Sequence, residues 1–581
     1  MDVATGSLSI AIAGSGGSGV MTAGTLLLDA AARAGYYGLM VRTSGPQIRG
    51  GEAAALVRIG PEPLQSLGDH FDLLLAIDWQ NVNRFADEIP LVAGSLAVGD
   101  SEGGEMPPVF LAGGAKAHAL PLKKMAKAIP GSWINMLALG LAGALAGLPA
   151  EALEGAVRRD WKRGEEALAA NLKALHAGVA AAREAPAIPP LAPARPGGRR
   201  WLLSGNEAAG FGALKGGVRF VAAYPITPAT EMLEWLAPAL TQVGGSLLQA
   251  EDELASVNMI IGASFGGVPS LTATAGPGLS LMAEGIGLAV AAEVPIVVVD
   301  VMRGGPSTGI PAKSEQSDLS FAVAGLHGDA PRLVLAPSSI ADCAATTQWA
   351  VELAEALQAP AIVLSDQFMG QSRAIVERPA DRPCTTERLT ATEHTPEYKR
   401  YRDTPSGVSP MAIPGTPGVT YTADGLEHNE GAIPSSQSKD HRLQLAKRER
   451  KLLQHDYGPR WADLEGEGSL AVVTFGSASG PVREGLRRAA AQGVKVRLVV
   501  LRLLAPLQPA VVAKALAGVE RVMVIEQNHG AQLLHYLRGA LDLPGRPASY
   551  HHAGPLPLRP GEVCDAVVAW AAESELEEAV T

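Results

Sequence analysis

The sequence predicts a multidomain α/β protein made of three successive α/β units, on three observations. Short, continuous apolar runs such as Leu8–Ala13, Pro295–Val301 and Lys495–Leu501 alternate with longer helical patterns, as expected of parallel strands buried on both faces. The 581 residues leave room for roughly three or four domains. Composition breaks twice, at the proline-rich segment 184–200 and again from Pro379 to about Pro434, where periodicity is lost. The first break reads as a linker and the second as a linker or a wrapping arm.

In the first unit, the strand Leu8–Ala13 runs into Gly14-Ser15-Gly16-Gly17-Ser18-Gly19 and an Ala/Leu-rich helix. That arrangement can lay backbone N–H groups against a phosphate at a helix N-terminus. NAD would call for an acid at the end of the second strand, but that strand ends in Arg42. NADP or another phosphate-bearing ligand, or a turn that needs glycine for packing alone, all remain open. Arg49, in a second glycine-rich loop from Thr43 to Gly51, could grip a phosphate or carboxylate. The second unit opens with the strand Val218–Ala223 and the turn Tyr224-Pro225-Ile226-Thr227-Pro228. Two prolines keep this turn extended and present the Thr227 hydroxyl at a strand end, with a helix expected from Pro228. Glu251-Asp252-Glu253 then leads into a helical run to Phe265, a strand over Ser270–Ala275, and Gly276-Pro277-Gly278 opening another helix. The strand Pro295–Val301 ends at Arg303 and the loop Gly304–Gly309. In such sheets ligands sit beyond the carboxyl ends of the strands, where both the acidic cluster and Arg303 fall. The third unit, about Leu470 to Pro544, repeats the pattern. A basic helix at Lys447–Leu453 reads as a solvated face and Glu427-His428 as a surface pair.

Composition excludes several classes. Apolar residues make up 47% and charged residues 18%, with a formal net charge of −11, which argues against a nucleic-acid or anionic-lipid surface. Cys343, Cys384 and Cys564 lie far apart without a CxxC pair, so no disulfide framework, zinc site or iron–sulfur site is legible. The start lacks a basic n-region, and charges interrupt the apolar stretches. The expectation is a cytoplasmic protein without a membrane span.

Tyr224–Pro228, Glu251–Glu253, Ala273–Gly278 and Arg303–Gly309 together resemble the α subunit of 2-oxoacid:ferredoxin oxidoreductases, the 2-oxoglutarate branch most of all. Residues 1–183 resemble that family's γ domain, fused here at the front. Residues 201–378 resemble its thiamine-diphosphate pyrimidine-binding domain, and 466–581 a transketolase-C-like domain, with 379–465 a connecting arm. The resemblance implies oxidative decarboxylation of a 2-oxoacid with coenzyme A to acyl-CoA, CO2 and reduced ferredoxin. The diphosphate-binding Gly-Asp-Gly…Asn signature and clustered cysteines are missing from this chain. A β subunit would therefore bring the diphosphate end, Mg and the [4Fe-4S] cluster, in a dimer of αβ pairs.

On that resemblance Glu253, with Glu251 as competitor, shares a proton with the coenzyme's pyrimidine ring, and desolvation raises its pKa. Tyr224, Pro225, Gly276 and Gly278 would line the pyrimidine side. Arg303 would take the substrate carboxylate in a bidentate grip, with Thr227 on the reacting carbonyl. Ser307 and Thr308 would add loop contacts, and Lys313 would meet a distal carboxylate. Gly14, Ser15, Gly16, Gly17, Arg42 and Arg49 would face coenzyme A, and no metal ligand is expected in this chain. An NADP-dependent oxidoreductase using the glycine loop and a non-catalytic scaffold that binds coenzyme A or a partner are the competing readings.

Overall fold

The computed structural model describes residues 6–45, 51–195, 198–384, 387–393 and 395–580, with side chains to 573. Three sheets carry the fold. In the first, Leu8–Ser15 pairs in parallel with Leu73–Ala76, which continues through Leu96–Asp100 to Lys116–Leu120. On its other side Leu8–Ser15 pairs with the antiparallel strand Glu52–Gly60, which in turn pairs with Tyr37–Ser44. The helix Val20–Arg33 packs across this face, and Gly24 lies so close to the sheet that a Cβ there would come 2.5 Å from Ala55 Cβ. Two further strands, Arg373–Glu377 and Arg200–Ser204, extend the same sheet. They border the second unit in sequence, so the sheet runs across the boundary expected at 184–200.

The second sheet is parallel apart from one edge. Its order is Ser246–Gln249, Phe220–Ala223, Ser270–Thr274, Val297–Met302, Ala361–Asp366 and Leu333–Leu335, closed by the antiparallel strand Leu503–Ala505 from the third unit. The chain passes from Phe220–Ala223 outward to Ser246–Gln249, then returns to build on the other side from Ser270. The order thus reverses between Phe220–Ala223 and Ser270–Thr274. In open α/β sheets that switch point opens a crevice beyond the carboxyl ends of the strands. Val297–Met302 is wholly buried, which accounts for its unbroken apolar run in the sequence. The third sheet has five strands around Leu470–Phe475 and is covered by the helices Ser479–Ala491 and Pro560–Val580.

Several local expectations change. The helix after the proline turn begins at Thr230 rather than at Pro228, and the Thr227–Pro228 peptide is cis. The last helix, Pro560–Val580, runs for 21 residues. The basic helix, Ser438–Leu453, is not a solvated face. Lys447 and Lys451 are buried and both reach Glu293, at 2.5 and 2.8 Å. His428 is likewise buried, stacked on Tyr401 with ring centroids 3.5 Å apart. The irregular segment is therefore a wrapping arm, anchored by buried charge on the helix that follows it. Among the described residues no helix is long and apolar enough to cross a membrane.

Candidate active site

Four loops stand beyond the carboxyl ends of the strands around the switch point. Tyr224–Pro228 leaves the strand Phe220–Ala223 with Tyr224 exposed and Thr227 half-buried. Arg303 follows the strand Val297–Met302, is 7% exposed, and donates from Nη1 to the Thr227 carbonyl oxygen at 2.6 Å. No carboxylate pairs with it within 4.0 Å among the described residues, and its Nε, though buried, has no hydrogen-bond partner. Burial lowers its pKa, and the nearby Asp318 charge works in the opposite direction. A guanidinium placed so has one edge fixed and the rest of its planar donor fork uncommitted. That suits it to a ligand carboxylate.

Glu253 and Glu251 are separated by the start of a helix. Asp252 is the N-cap of Glu253–Phe265, its carboxylate accepting from the Ala255 N–H at 2.7 Å. The capped geometry turns Glu251 outward to solvent and Glu253 inward, to 7% exposure. The Glu253 carboxyl lies against the Gly276-Pro277-Gly278 turn: a Cβ on Gly278 would come 2.8 Å from its Oε1 and 2.1 Å from Thr274 Oγ1. Glycine is needed there because backbone and carboxyl approach so closely. Among the described residues Glu253 receives no hydrogen bond and makes no ion pair. The adjacent Leu254 points out to solvent, and the Gly276–Gly278 turn is what covers the carboxyl.

Ser307 and Thr308 stand exposed on a loop closed by the Ile310 N–H on the Gly304 carbonyl at 2.8 Å. Gly309 has φ +55°, and a Cβ there would fall 1.6 Å from the Gly304 oxygen. The ammonium of Lys313 is taken up by Glu88 and by Thr43 Oγ1 at 2.5 Å, both from the first unit. It ties the chain after the Gly304–Gly309 loop to that unit, and its charge is already met by Glu88.

The glycine loop lies on the first sheet, apart from these groups in the fold. The backbone N–H and hydroxyl of Ser15 both donate to Asp78 Oδ2, at 3.1 and 2.7 Å. Of the two strands beside Leu8–Ser15, Leu73–Ala76 is parallel but Glu52–Gly60 is antiparallel. A dinucleotide site wants parallel neighbours on both sides and free donors, so the NADP reading is not supported. The groove beside Gly16 and Gly17 is lined by Lys123, Lys127, Arg163 and Trp133. Sequence periodicity had singled out none of those four. Arg42 instead pairs with Glu231 and does not line the groove. Arg49 lies outside the described residues.

Three further groups escaped the sequence reading. Asp300 is wholly buried and is pushed above the carboxylate range by burial and by the charge of Asp318, whose own carboxyl packs against Gly276 of the glycine turn. Gln316 fastens the chain after the Gly304–Gly309 loop to the third unit: its N–H reaches the Gln527 carbonyl at 2.7 Å and its Oε1 accepts from the Gln527 N–H at 2.9 Å. A charged residue inside an apolar strand was the available signal for Asp300. Gln316 carried none, since its partners lie over two hundred residues away. Among the described residues no group of three or more His, Cys, Asp or Glu is placed to hold a metal ion.

The fold and the crevice define a class: a multidomain α/β chain whose parallel sheet presents an inward glutamate and an unpaired arginine at its switch point. Residues 211–448 match the family described as pyruvate flavodoxin/ferredoxin oxidoreductase, thiamine-diphosphate-binding, and residues 9–181 the family described as pyruvate ferredoxin/flavodoxin oxidoreductase. The α subunit of 2-oxoacid:ferredoxin oxidoreductase 2 from Aeropyrum pernix is 31% identical over 601 aligned residues, 91% of this chain and 92% of the relative. The 2-oxoglutarate synthase subunit KorA of Methanothermobacter marburgensis is 34% identical over 58% of this chain and 91% of its own length. The solved 2-oxoglutarate:ferredoxin oxidoreductase from Magnetococcus marinus, with 2-oxoglutarate, coenzyme A and succinyl-CoA bound, superposes with a TM-score of 0.88 at 37% identity, covering 97% of this chain and 99% of that one. The chain belongs to the 2-oxoacid:ferredoxin oxidoreductase α-subunit family.

Proposed function

We propose that this chain is the α-type subunit, with its γ-type domain fused in front, of an enzyme that oxidatively decarboxylates a 2-oxoacid, with 2-oxoglutarate preferred. Coenzyme A is the acyl acceptor and ferredoxin the electron acceptor. The observation that carries this reading is Arg303, a buried guanidinium without a carboxylate partner, beside Thr227 at the carboxyl end of a central strand.

The residues fit the pyrimidine half of thiamine diphosphate. Glu253 is inward and unpaired, and the Gly276–Gly278 turn leaves bare backbone beside it. When bound, the coenzyme supplies the thiazolium carbon that adds to the keto group and takes up the electron pair left by departing CO2. Glu253 holds or returns the proton at the pyrimidine nitrogen. Arg303 orients the substrate carboxylate, and Thr227 is placed to donate its hydroxyl to the reacting end. Ser307 and Thr308 face the part of the substrate beyond its keto group. Gly16, Gly17, Lys123, Lys127 and Arg163 give coenzyme A phosphates a basic groove.

A β subunit completes the site. Tyr224, Leu248, Leu254, Met259 and Leu281 are exposed around the loops that carry Glu253 and Thr227, an apolar rim suited to a protein partner. That partner would hold the diphosphate, Mg and the [4Fe-4S] cluster, in a dimer of αβ pairs. The test is reconstitution: this chain, a β partner and both together, assayed for viologen or ferredoxin reduction with pyruvate, 2-oxoglutarate and branched-chain oxoacids. The expected result is coenzyme-A-dependent reduction by the complex alone, with the highest kcat/KM on 2-oxoglutarate. Turnover by the isolated chain, or a complex inert to every oxoacid, would overturn the proposal.

A further inference from the structure

Asp300 sits in the middle of the central strand Val297–Met302, in register with Thr274 on one side and Leu364 on the other. It is 0% exposed, and neither carboxyl oxygen receives a hydrogen bond from a donor among the described residues. The acid whose charge acts on it is Asp318, and the two flank one stretch of chain, Asp300 beside Thr274 and Asp318 against Gly276. Asp318 occupies the N-cap position of the helix Leu319–Ala324, yet its side chain makes no cap bond. It turns inward instead, where a Cβ on Gly276 would come 2.6 Å from its Oδ2, and that oxygen too has no donor. Two carboxyl groups can join only through a proton held between them, and two adjacent buried carboxylates cannot both stay ionised.

The surroundings bear on the pair's charge. Arg303 is the cation just beyond the end of Asp300's own strand, near enough to act on Asp318 but not ion-paired with it; Glu315 is the acid on the adjoining loop, with His529 beyond it. Glu253 lies across the turn, against Gly278 rather than Gly276. Asp366, at the end of the neighbouring strand, accepts from the Met369 N–H. Burial raises Asp300 well above the carboxylate range and brings Asp318 to about 6, while Glu315 pushes Asp318 up and Arg303 pulls it down. With one proton shared, the pair carries a single negative charge that balances Arg303. A substrate carboxylate entering this low-dielectric crevice upsets that balance by one charge.

We propose that Asp300 and Asp318 are positioning residues that act through Arg303, taking up a second proton from solvent when the carboxylate of the 2-oxoacid docks on the guanidinium and releasing it when that carboxylate leaves as CO2. Substrate binding is then linked to proton uptake, and affinity for the oxoacid falls as pH rises above the pair's free-enzyme titration. The inference rests on the proposed substrate role of Arg303.

The test uses the assembled enzyme. In wild type, kcat/KM for the oxoacid should fall roughly tenfold per pH unit above about 6, while kcat/KM for coenzyme A does not share that slope. Asp318→Asn should remove the slope, and Asp300→Asn should move it to lower pH. Calorimetric titration of the wild-type complex assembled without thiamine diphosphate, so that the bound carboxylate cannot leave as CO2, in two buffers of different ionisation enthalpy should show close to one proton taken up per oxoacid bound near pH 7. That second measurement stands even if the variants fail to assemble. A wild-type slope retained in Asp318→Asn, or no proton uptake on binding, would overturn the inference. In either case oxoacid turnover would leave the functional proposal standing; an enzyme that neither binds nor turns over oxoacids would instead sink that proposal.

Discussion

Arg303 and Glu253 are buried to the same degree, and among the described residues neither makes an ion pair within 4.0 Å. A buried charge without a partner is costly, so such groups persist where a ligand completes them. The fork of Arg303 matters more than its charge, because Nη1 is already spent on Thr227 and the remaining donors must still reach a carboxylate in one plane. Arg303→Lys keeps the charge and loses that geometry. We expect kcat/KM for the oxoacid to drop roughly ten- to hundredfold, the scale of a lost charge-assisted hydrogen bond, mainly through KM. Steady-state kinetics on the reconstituted enzyme check this; an unchanged KM would remove Arg303 from the substrate. The positions of these two residues were legible in the sequence because each falls just past a strand-like run, while the roles proposed for them rest on the family resemblance. The Asp300–Asp318 pair was not, since only the folded crossing of strand and loop brings the two carboxyls together.

At the scale of elements, the strand-to-loop junctions position the site and the arm secures them. Its helix Ser438–Leu453 places Lys447 and Lys451 on one buried carboxylate, with Arg400 close by on the chain that precedes it. Burial alone would raise the pKa of Glu293, but the two lysines and Arg400 together hold it far below the carboxylate range. Glu293→Gln would leave buried cations with no counter-charge, at a cost of about 3–5 kcal/mol. The expected outcome is a lower unfolding midpoint and faster proteolysis within 379–465. A variant as stable and as protease-resistant as wild type would contradict this account of the arm. Sequence periodicity gave a helix here but assigned its basic face to solvent, because the partner carboxylate lies about 150 residues earlier. Strands and helices of the central sheet were legible for the opposite reason. Their apolar periods are local, whereas helix ends and burial depend on what packs against them.

Across the whole molecule, the three sheets share strands and charges. Two strands flanking the second unit complete the first sheet, and one strand of the third unit closes the second. The loop after Arg303 is pinned to the first unit by Lys313 and to the third by Gln316. Arg58 of the first unit meets Glu484 of the third in a buried two-point contact, at 2.7 and 3.0 Å. Burial would raise the Glu484 pKa, but Arg58 and Arg488 bring it down to about 2. A depressed acid stabilises the fold at pH above its unfolded value and loses that contribution as pH falls through its folded one. The contribution is on the order of 3 kcal/mol and should disappear between about pH 4.5 and pH 2. Acid unfolding of Glu484→Gln should lack the part of the transition that this group supplies; an identical acid profile would show that the contact does not join the units. None of this sharing was legible in the sequence, which marks units by composition and not by the edges of their sheets.

The central claim is that Glu253 moves a proton on a coenzyme whose phosphates another protein holds. Hydrogen–deuterium exchange at C2 of thiamine diphosphate, followed by NMR, tests it most directly in the isolated chain, the reconstituted complex and the complex with Glu253→Gln. The account predicts rapid exchange in the complex alone, slowed roughly a hundredfold or more in the variant. Exchange as fast in the isolated chain, or unchanged by the substitution, would contradict it.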